Sequence, residues 1–219
     1  MQTAKIKNRA FIFNNIRYFT TQAENISLAA YGEKIRRMTG VSYVLVERAM
    51  NLDGVEIDRV DAITFDFRSV RKADLEFGVP LKAADISAGI SFEDFRSRKV
   101  VLLKLSLKTG ILKDVFTAGT PESSRALEYL RTAKTPRVVN HVFVVVSAAL
   151  ANRLNARGDL NATSRAGGID LHTKVGGEIQ SESTMELSKG TVLAYGMLRP
   201  MFAEGGEIVR FVPDHPGIG

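Results

Sequence analysis

The chain of 219 residues contains no cysteine. Disulfides, cysteine-ligated zinc, iron–sulfur clusters and thiol catalysis are therefore excluded. Histidine is scarce: His141, His172 and His215 lie far apart, and without an HExxH spacing the zinc-protease chemistry is excluded too. No glycine-rich loop cradles a phosphate, because Gly167–Gly168 and Gly176–Gly177 are isolated pairs outside any GxGxxG or GxxxxGK[ST] pattern. Those pairs read as a tight turn and a bulge. No GxSxG elbow is present, and Asp58, Asp61 and Asp66 do not follow a calcium-loop spacing. These absences leave an enzyme without support, and no cofactor or metal is expected. Long apolar runs are also missing. Val142–Ala151 is the most apolar stretch, well short of the roughly 20 residues of a spanning helix. The basic N-terminus lacks the apolar stretch and small-residue cleavage site of a secretory signal. A chain that is soluble and cytoplasmic as made is the expectation.

What is present is ordinary for a globular domain: 45% hydrophobic and 25% charged residues. The length suits one domain, expected over residues 1–212, with 213–219 as a loose C-terminal tail. The net charge of +6 favours anionic partners, namely nucleic acid, acidic lipid or an acidic protein.

Along the chain, Gln22–Met38 reads as a helix stopped by Gly40, and Val41–Val46 as a strand. Period-two alternation then dominates. Ile63, Phe65 and Phe67 alternate with polar neighbours, Leu75, Phe77, Val79 and Leu81 with Glu76, Gly78, Pro80 and Lys82, and Ile86, Ala88, Ile90 and Phe92 with Ser87, Gly89, Ser91 and Glu93. Pro80 marks an edge strand or a bulge. Val101, Leu103, Leu105 and Leu107 alternate with Leu102, Lys104, Ser106 and Lys108. Antiparallel sheets with one wet face look like this. Thr120–Ala133 has a helix N-cap, a proline at the first helical position and an apolar face from Ala126, Leu127 and Leu130. Val138–Val146 reads as a buried strand, and Ser147–Arg157 fits either a helix or a continuing strand. Ile169–Ile179 alternates without a phase break, as one strand. A turn at Lys189–Gly190, a strand through TVLAYGML and a short strand at Glu207–Val212 follow.

Two basic segments stand out. Phe95–Lys113 holds Arg96, Arg98, Lys99, Lys104, Lys108 and Lys113 with no acid. It reads either as a solvated face or as a phosphate contact. Nucleic-acid sheets interleave exposed aromatics with basic residues. Here Phe65, Phe67, Phe77 and Phe92 fall on the apolar face, which argues against nucleic acid. The N-terminal segment pairs Lys5, Lys7, Arg9 and Arg17 with Ile6, Phe11, Phe13, Tyr18 and other apolar residues. That composition suits an acidic bilayer surface, where each basic residue contributes ~1 kcal/mol.

Strands with one apolar and one polar face fit either a soluble core or a membrane barrel. A spanning strand needs ~9–11 residues, a length expected for Lys99–Thr109 and Gly168–Ile179. The stretch Ser188–Tyr195 (SKGTVLAY) resembles a signature near the end of the gasdermin pore-forming domain. Upstream, GGIDLHTKVGGEIQSES resembles that family's second membrane-inserting hairpin, RVVNHVFVVVS the strand entering it, and ITFDFRSV the start of the first hairpin region. The resemblance covers residues 40–212 and is most specific in the last sixty or so of them. It implies an α+β fold, a twisted antiparallel sheet with long hairpins and a few helices, able to convert to a membrane β-barrel. It implies a cell-death effector that binds acidic lipids, forms a homo-oligomeric ring at the inner face of the plasma membrane, and answers to an activating protease or an inhibitory partner. Under it, Lys5, Lys7, Arg9, Arg17, Arg96, Arg98 and Lys99 contact lipid. Val101, Leu103, Leu105, Leu107, Ile169, Leu171, Val175 and Ile179 insert. The chain departs from the family in having no room for a large C-terminal repressor and no cysteine for lipidation. The alternative is a soluble basic α+β module that binds nucleic acid or an acidic protein.

Overall fold

The computed structural model describes residues 2–38, 40–66, 100–146, 160–165, 168–175, 178–186 and 192–217. The fold is mixed α+β: a strongly curled, mostly antiparallel sheet of 13 strands with two helices among the described residues. β1 (Thr3–Lys7), β2 (Ala10–Phe13) and β3 (Ile16–Tyr18) form an N-terminal meander. Its turns are Asn8–Arg9 (φ 52 and 60) and Asn14–Asn15 (φ 48 and 62). Two consecutive left-handed residues make the tight hairpin turn whose twist suits its strands, and asparagine tolerates that conformation.

A short 3-10 helix (Ala23–Asn25) leads to the hairpin of β4 (Ala30–Arg36) and β5 (Ser42–Ala49). β6 (Glu56–Asp66) and β7 (Val100–Ser106) precede α1 (Thr109–Phe116) and α2 (Pro121–Thr132). β8 (Pro136–Val146), β9 (Leu160–Arg165), β10 (Gly168–Val175), β11 (Glu178–Glu186), β12 (Val192–Phe202) and β13 (Ile208–Asp214) complete the chain. The longest path through the sheet runs β11-β10-β9-β6-β7-β8-β12-β13.

Several expectations are corrected. The helix over Gln22–Met38 is replaced by the 3-10 turn and β4. Glu33, Lys34 and Arg36 favour a helix, but pairing to β5 and β8 outweighs that preference. Gly32 allows the close approach, since a Cβ there would lie 1.9 Å from the Leu45 carbonyl oxygen. The single strand over Ile169–Ile179 is instead a hairpin, with Val175 opposite Glu178 and Lys174 opposite Ile179. α1 was not foreseen; its Leu112 and Phe116, one turn apart, are both fully buried. α2 fulfils its signals: the Thr120 side chain accepts from Ser123 N–H at 3.1 Å, and Pro121 opens the helix. The strands expected over 75–92, the ambiguous 147–157 and the Lys189–Gly190 turn lie outside the described residues.

The C-terminal strand runs two residues past Val212. Its Asp214 carboxylate accepts from Lys34 Nζ at 2.9 Å and pairs with Arg137 Nε. Tyr195 ties distant segments together. Its hydroxyl accepts from Val44 N–H and donates to the Thr21 carbonyl, both at 3.1 Å.

Strands β6, β7, β8 and β12 separate two cores. Leu103, Leu105 and Leu107 join Leu112, Phe116, Leu130, Val138 and Val142 on the helix side. Leu102, which must point the opposite way, packs with Ile6, Phe11, Phe13, Tyr18, Phe65 and Phe143 beneath the meander. The wet face expected for β7 is thus covered: Lys104 on that face is half-buried.

Candidate membrane-inserting end of the sheet

β6, β7, β8 and β12 are antiparallel neighbours in that order. At one end, Phe65 pairs with Val100, Val101 with Val146, and Val192 with Val144. The connection between β6 and β7 (residues 67–99) and the connection between β8 and β12 (147–191) therefore leave and re-enter at the same end of the four strands. The second connection carries β9, β10 and β11. β10 and β11 pair along their length with one bulge, at Leu171/His172. β9 lies against the far end of β6, Ile57 opposite Ala162 and Glu56 opposite Thr163.

No protein-family model, curated protein or solved structure matches this chain. The site's chemistry rests on its own residues.

Of the basic residues expected to meet lipid, the four described ones fall in two settings. Lys5 is exposed and sits opposite Asp66, where β6 ends at the 67–99 connection. Lys7 is exposed two residues on. Arg9 and Arg17 instead line a cavity of about 220 Å³ with Thr20, Pro216 and Gly217. Arg17 is half-buried, and its carbonyl accepts from His215 Nδ1 at 3.3 Å. Arg96, Arg98 and Lys99 lie outside the described residues.

Among the residues expected to insert, Val101 is partly buried, and Leu103, Leu105 and Leu107 belong to the helix-side core. Ile169, Leu171 and Val175 follow one another on β10, whereas Ile179 stands on β11 opposite Lys174. β7 has 7 residues and β10 has 8, below the ~9–11 of a spanning strand, while β6, β8 and β12 have 11 each.

Sequence reasoning missed a polar cluster under the meander. Lys104 Nζ lies 5.6 Å from the Tyr18 ring centroid and 6.0 Å from that of Phe143, within cation–π range. Burial holds its pKa below the ordinary lysine value. His141 is pulled down to about 4, first by burial and then by the charge of Lys104. Burial pushes the Tyr18 phenol up to about 12. The His141 ring lies so close to Gly196 that a Cβ there would meet its Cδ2 at 2.9 Å. Asn140 Nδ2 is 3.0 Å from His141 Nε2, which leaves Asn140 Oδ1 and His141 Nδ1 buried without a hydrogen bond. The only signal for this cluster was Lys104 itself, on the polar face of its strand; its aromatic neighbours come from elements far away in sequence. Among the described residues, no group of three or more histidines and carboxylates could hold a metal.

Proposed function

We propose that this chain is a pore-forming protein of the gasdermin type. It binds acidic lipid, assembles into a ring and extends residues 67–99 and 147–191 as two hairpins into the bilayer. The observation that carries this reading is the common origin of those two connections at one end of four adjacent antiparallel strands. Extended in place, each connection would continue the two strands it joins. One copy would then contribute four strands side by side, and only a closed barrel satisfies every backbone group of a sheet in lipid. The alternation along these connections gives each extended strand one lipid-facing and one lumen-facing side. Ile169, Leu171 and Val175 are proposed for the lipid side, with Ile179 on the return strand. Val101 stands at the boundary, and Leu103, Leu105 and Leu107 follow it only if the helix-side core opens. Lys5 and Lys7 supply the exposed positive charge for the first contact, with Arg96, Arg98 and Lys99 assisting from the first connection. Among the described residues, the ladder between the second connection and β6 is two residue pairs long, both from β9.

Dye release from liposomes tests the proposal. Vesicles containing cardiolipin or phosphatidylserine are expected to leak rapidly and phosphatidylcholine vesicles to stay intact. Leu171→Asp, with an unchanged circular dichroism spectrum, is expected to abolish release. No release from acidic vesicles, even after limited proteolysis, would overturn the reading. Salt-sensitive oligonucleotide binding in that case would favour the soluble binding module.

A further inference from the structure

The meander β1–β3 covers the aromatic core, and it also holds both outer strands of the four-stranded group. On one side β1 pairs with β6, Thr3 opposite Thr64, Ala4 opposite Phe65 and Lys5 opposite Asp66, and Thr64 N–H donates to the Gln2 carbonyl at 3.0 Å. On the other side Phe19, just after β3, exchanges two backbone hydrogen bonds of 2.9 Å with Tyr195 of β12. One segment, residues 2–19, thus caps an edge at each side of the group.

The edges beneath it carry little of the usual protection. Exposed sheet edges pair with other chains unless charge, proline or a cover prevents it. Val192–Gly196 of β12 contains no charge and no proline, and of the three β6 residues under β1 only the last, Asp66, is charged, opposite Lys5. The exposed strands elsewhere have more: β5 carries Glu47 and Arg48, and β13 carries Arg210 and Pro213. The β1–β6 pair is also the only parallel pairing among the described strands, only three residue pairs long, and parallel pairs are slightly weaker per residue.

We infer that the N-terminal meander is a detachable clip over two sheet edges through which one copy of this chain pairs with a second copy. The occupant follows from strand direction. β6 and β12 run antiparallel to each other, because three antiparallel pairings separate them. The β12 edge of one copy therefore meets the β6 edge of the next as an antiparallel pair. That contact joins two different surfaces, so it propagates from copy to copy and closes only as a ring. The inference rests on the edges alone and does not require a membrane.

Light scattering on the full chain in detergent-free buffer tests it. Phe13→Ala removes a ring that packs on Phe143 at 5.7 Å and raises the undocked population on the order of a hundredfold. The expected result is a shift from monomer to dimer and larger species at fixed concentration. Adding Thr3→Cys with Thr64→Cys to the same variant locks β1 to β6, and the bond is unambiguous in a chain with no other cysteine. Oxidised, the locked variant is expected to return to monomer; reduced, to associate again. Because the packing defect remains in both states, this reversal separates edge pairing from general stickiness of the opened aromatic core. A Phe13→Ala variant that melts cooperatively yet stays monomeric overturns the inference, and so does association that oxidation leaves unchanged. If Phe13→Ala does not melt cooperatively, Ile6→Val replaces it in the same comparison, with a smaller shift and the same two deciding outcomes. Dye release can fail while this association persists, so the two proposals stand or fall separately.

Discussion

The two layers that enclose β6, β7, β8 and β12 are made of different material. The helix side is mainly aliphatic and large: Leu103, Leu105 and Leu107 meet Leu112, Leu130, Val138 and Val142, with Phe116 and Tyr31 among them. The meander side is small and aromatic, centred on Phe143, whose ring centroid lies 4.5 Å from that of Phe11 and 4.7 Å from that of Tyr18. It also contains Lys104 and His141, polar groups that burial penalises. The first layer is built from residues spread over most of the described chain, so opening it breaks packing between many distant elements. In the second, five of the eleven buried residues come from one N-terminal segment of two local hairpins. The contrast suggests a permanent core on one face and a removable cover on the other.

The largest effects come from opening each layer in turn. Leu105→Ala should cost about 2–5 kcal/mol and Phe143→Ala about 3–5 kcal/mol. Hydrogen exchange is the discriminating measurement. Leu105→Ala should weaken protection throughout the sheet, whereas Phe143→Ala should expose the amides of β1–β3 well before the rest. Equal, uniform losses in both variants would erase the distinction between the layers.

A somewhat smaller effect comes from acid. His141 has a folded pKa of about 4 against an ordinary value of 6.5. Between those values the unfolded chain binds the proton and the folded chain does not, so stability falls as pH drops from 6.5 toward 4. The loss amounts to about 3 kcal/mol at most. Urea unfolding at pH 7 and pH 4.5 should show a smaller difference in His141→Gln than in the parent chain. An identical pH dependence in the two would place the sensitivity elsewhere. The smallest effect is on the helix side: Thr120→Ala removes the cap of α2 and should cost about 1 kcal/mol in the same urea assay.

Legibility in the sequence followed how local each signal was. α2 could be read because its cap, proline and apolar spacing all lie within residues 120–133. β7 and β8 could be read from alternation and a valine-rich run, but Leu102 needed knowledge of the meander to be placed in a core. β4 was hidden because its strand state is set by β5 and β8, not by its own helix-favouring residues. The glycine at position 32 was the available clue. The Asn8–Arg9 and Asn14–Asn15 turns were legible in principle, as asparagine-bearing pairs between apolar runs. In the 168–179 run, the pair Gly176–Gly177 carried the turn signal, while continuous alternation hid the reversal. The common exit of the two long connections could not be read at all, because it depends on the register of four strands drawn from across the chain.

The two hydrogen bonds of Tyr195 also bear on synthesis. Val44 N–H and the Thr21 carbonyl wait for a partner 151 and 174 residues further along the chain. At 5–20 residues per second, a ribosome needs on the order of ten seconds to deliver it. In the last part of that interval β8 has been made but lacks its neighbour β12, and the nascent sheet has an open edge. Folding that depends so heavily on distant pairings is slow by nature. The nascent chain is thus most exposed to misassembly before residue 195 has emerged.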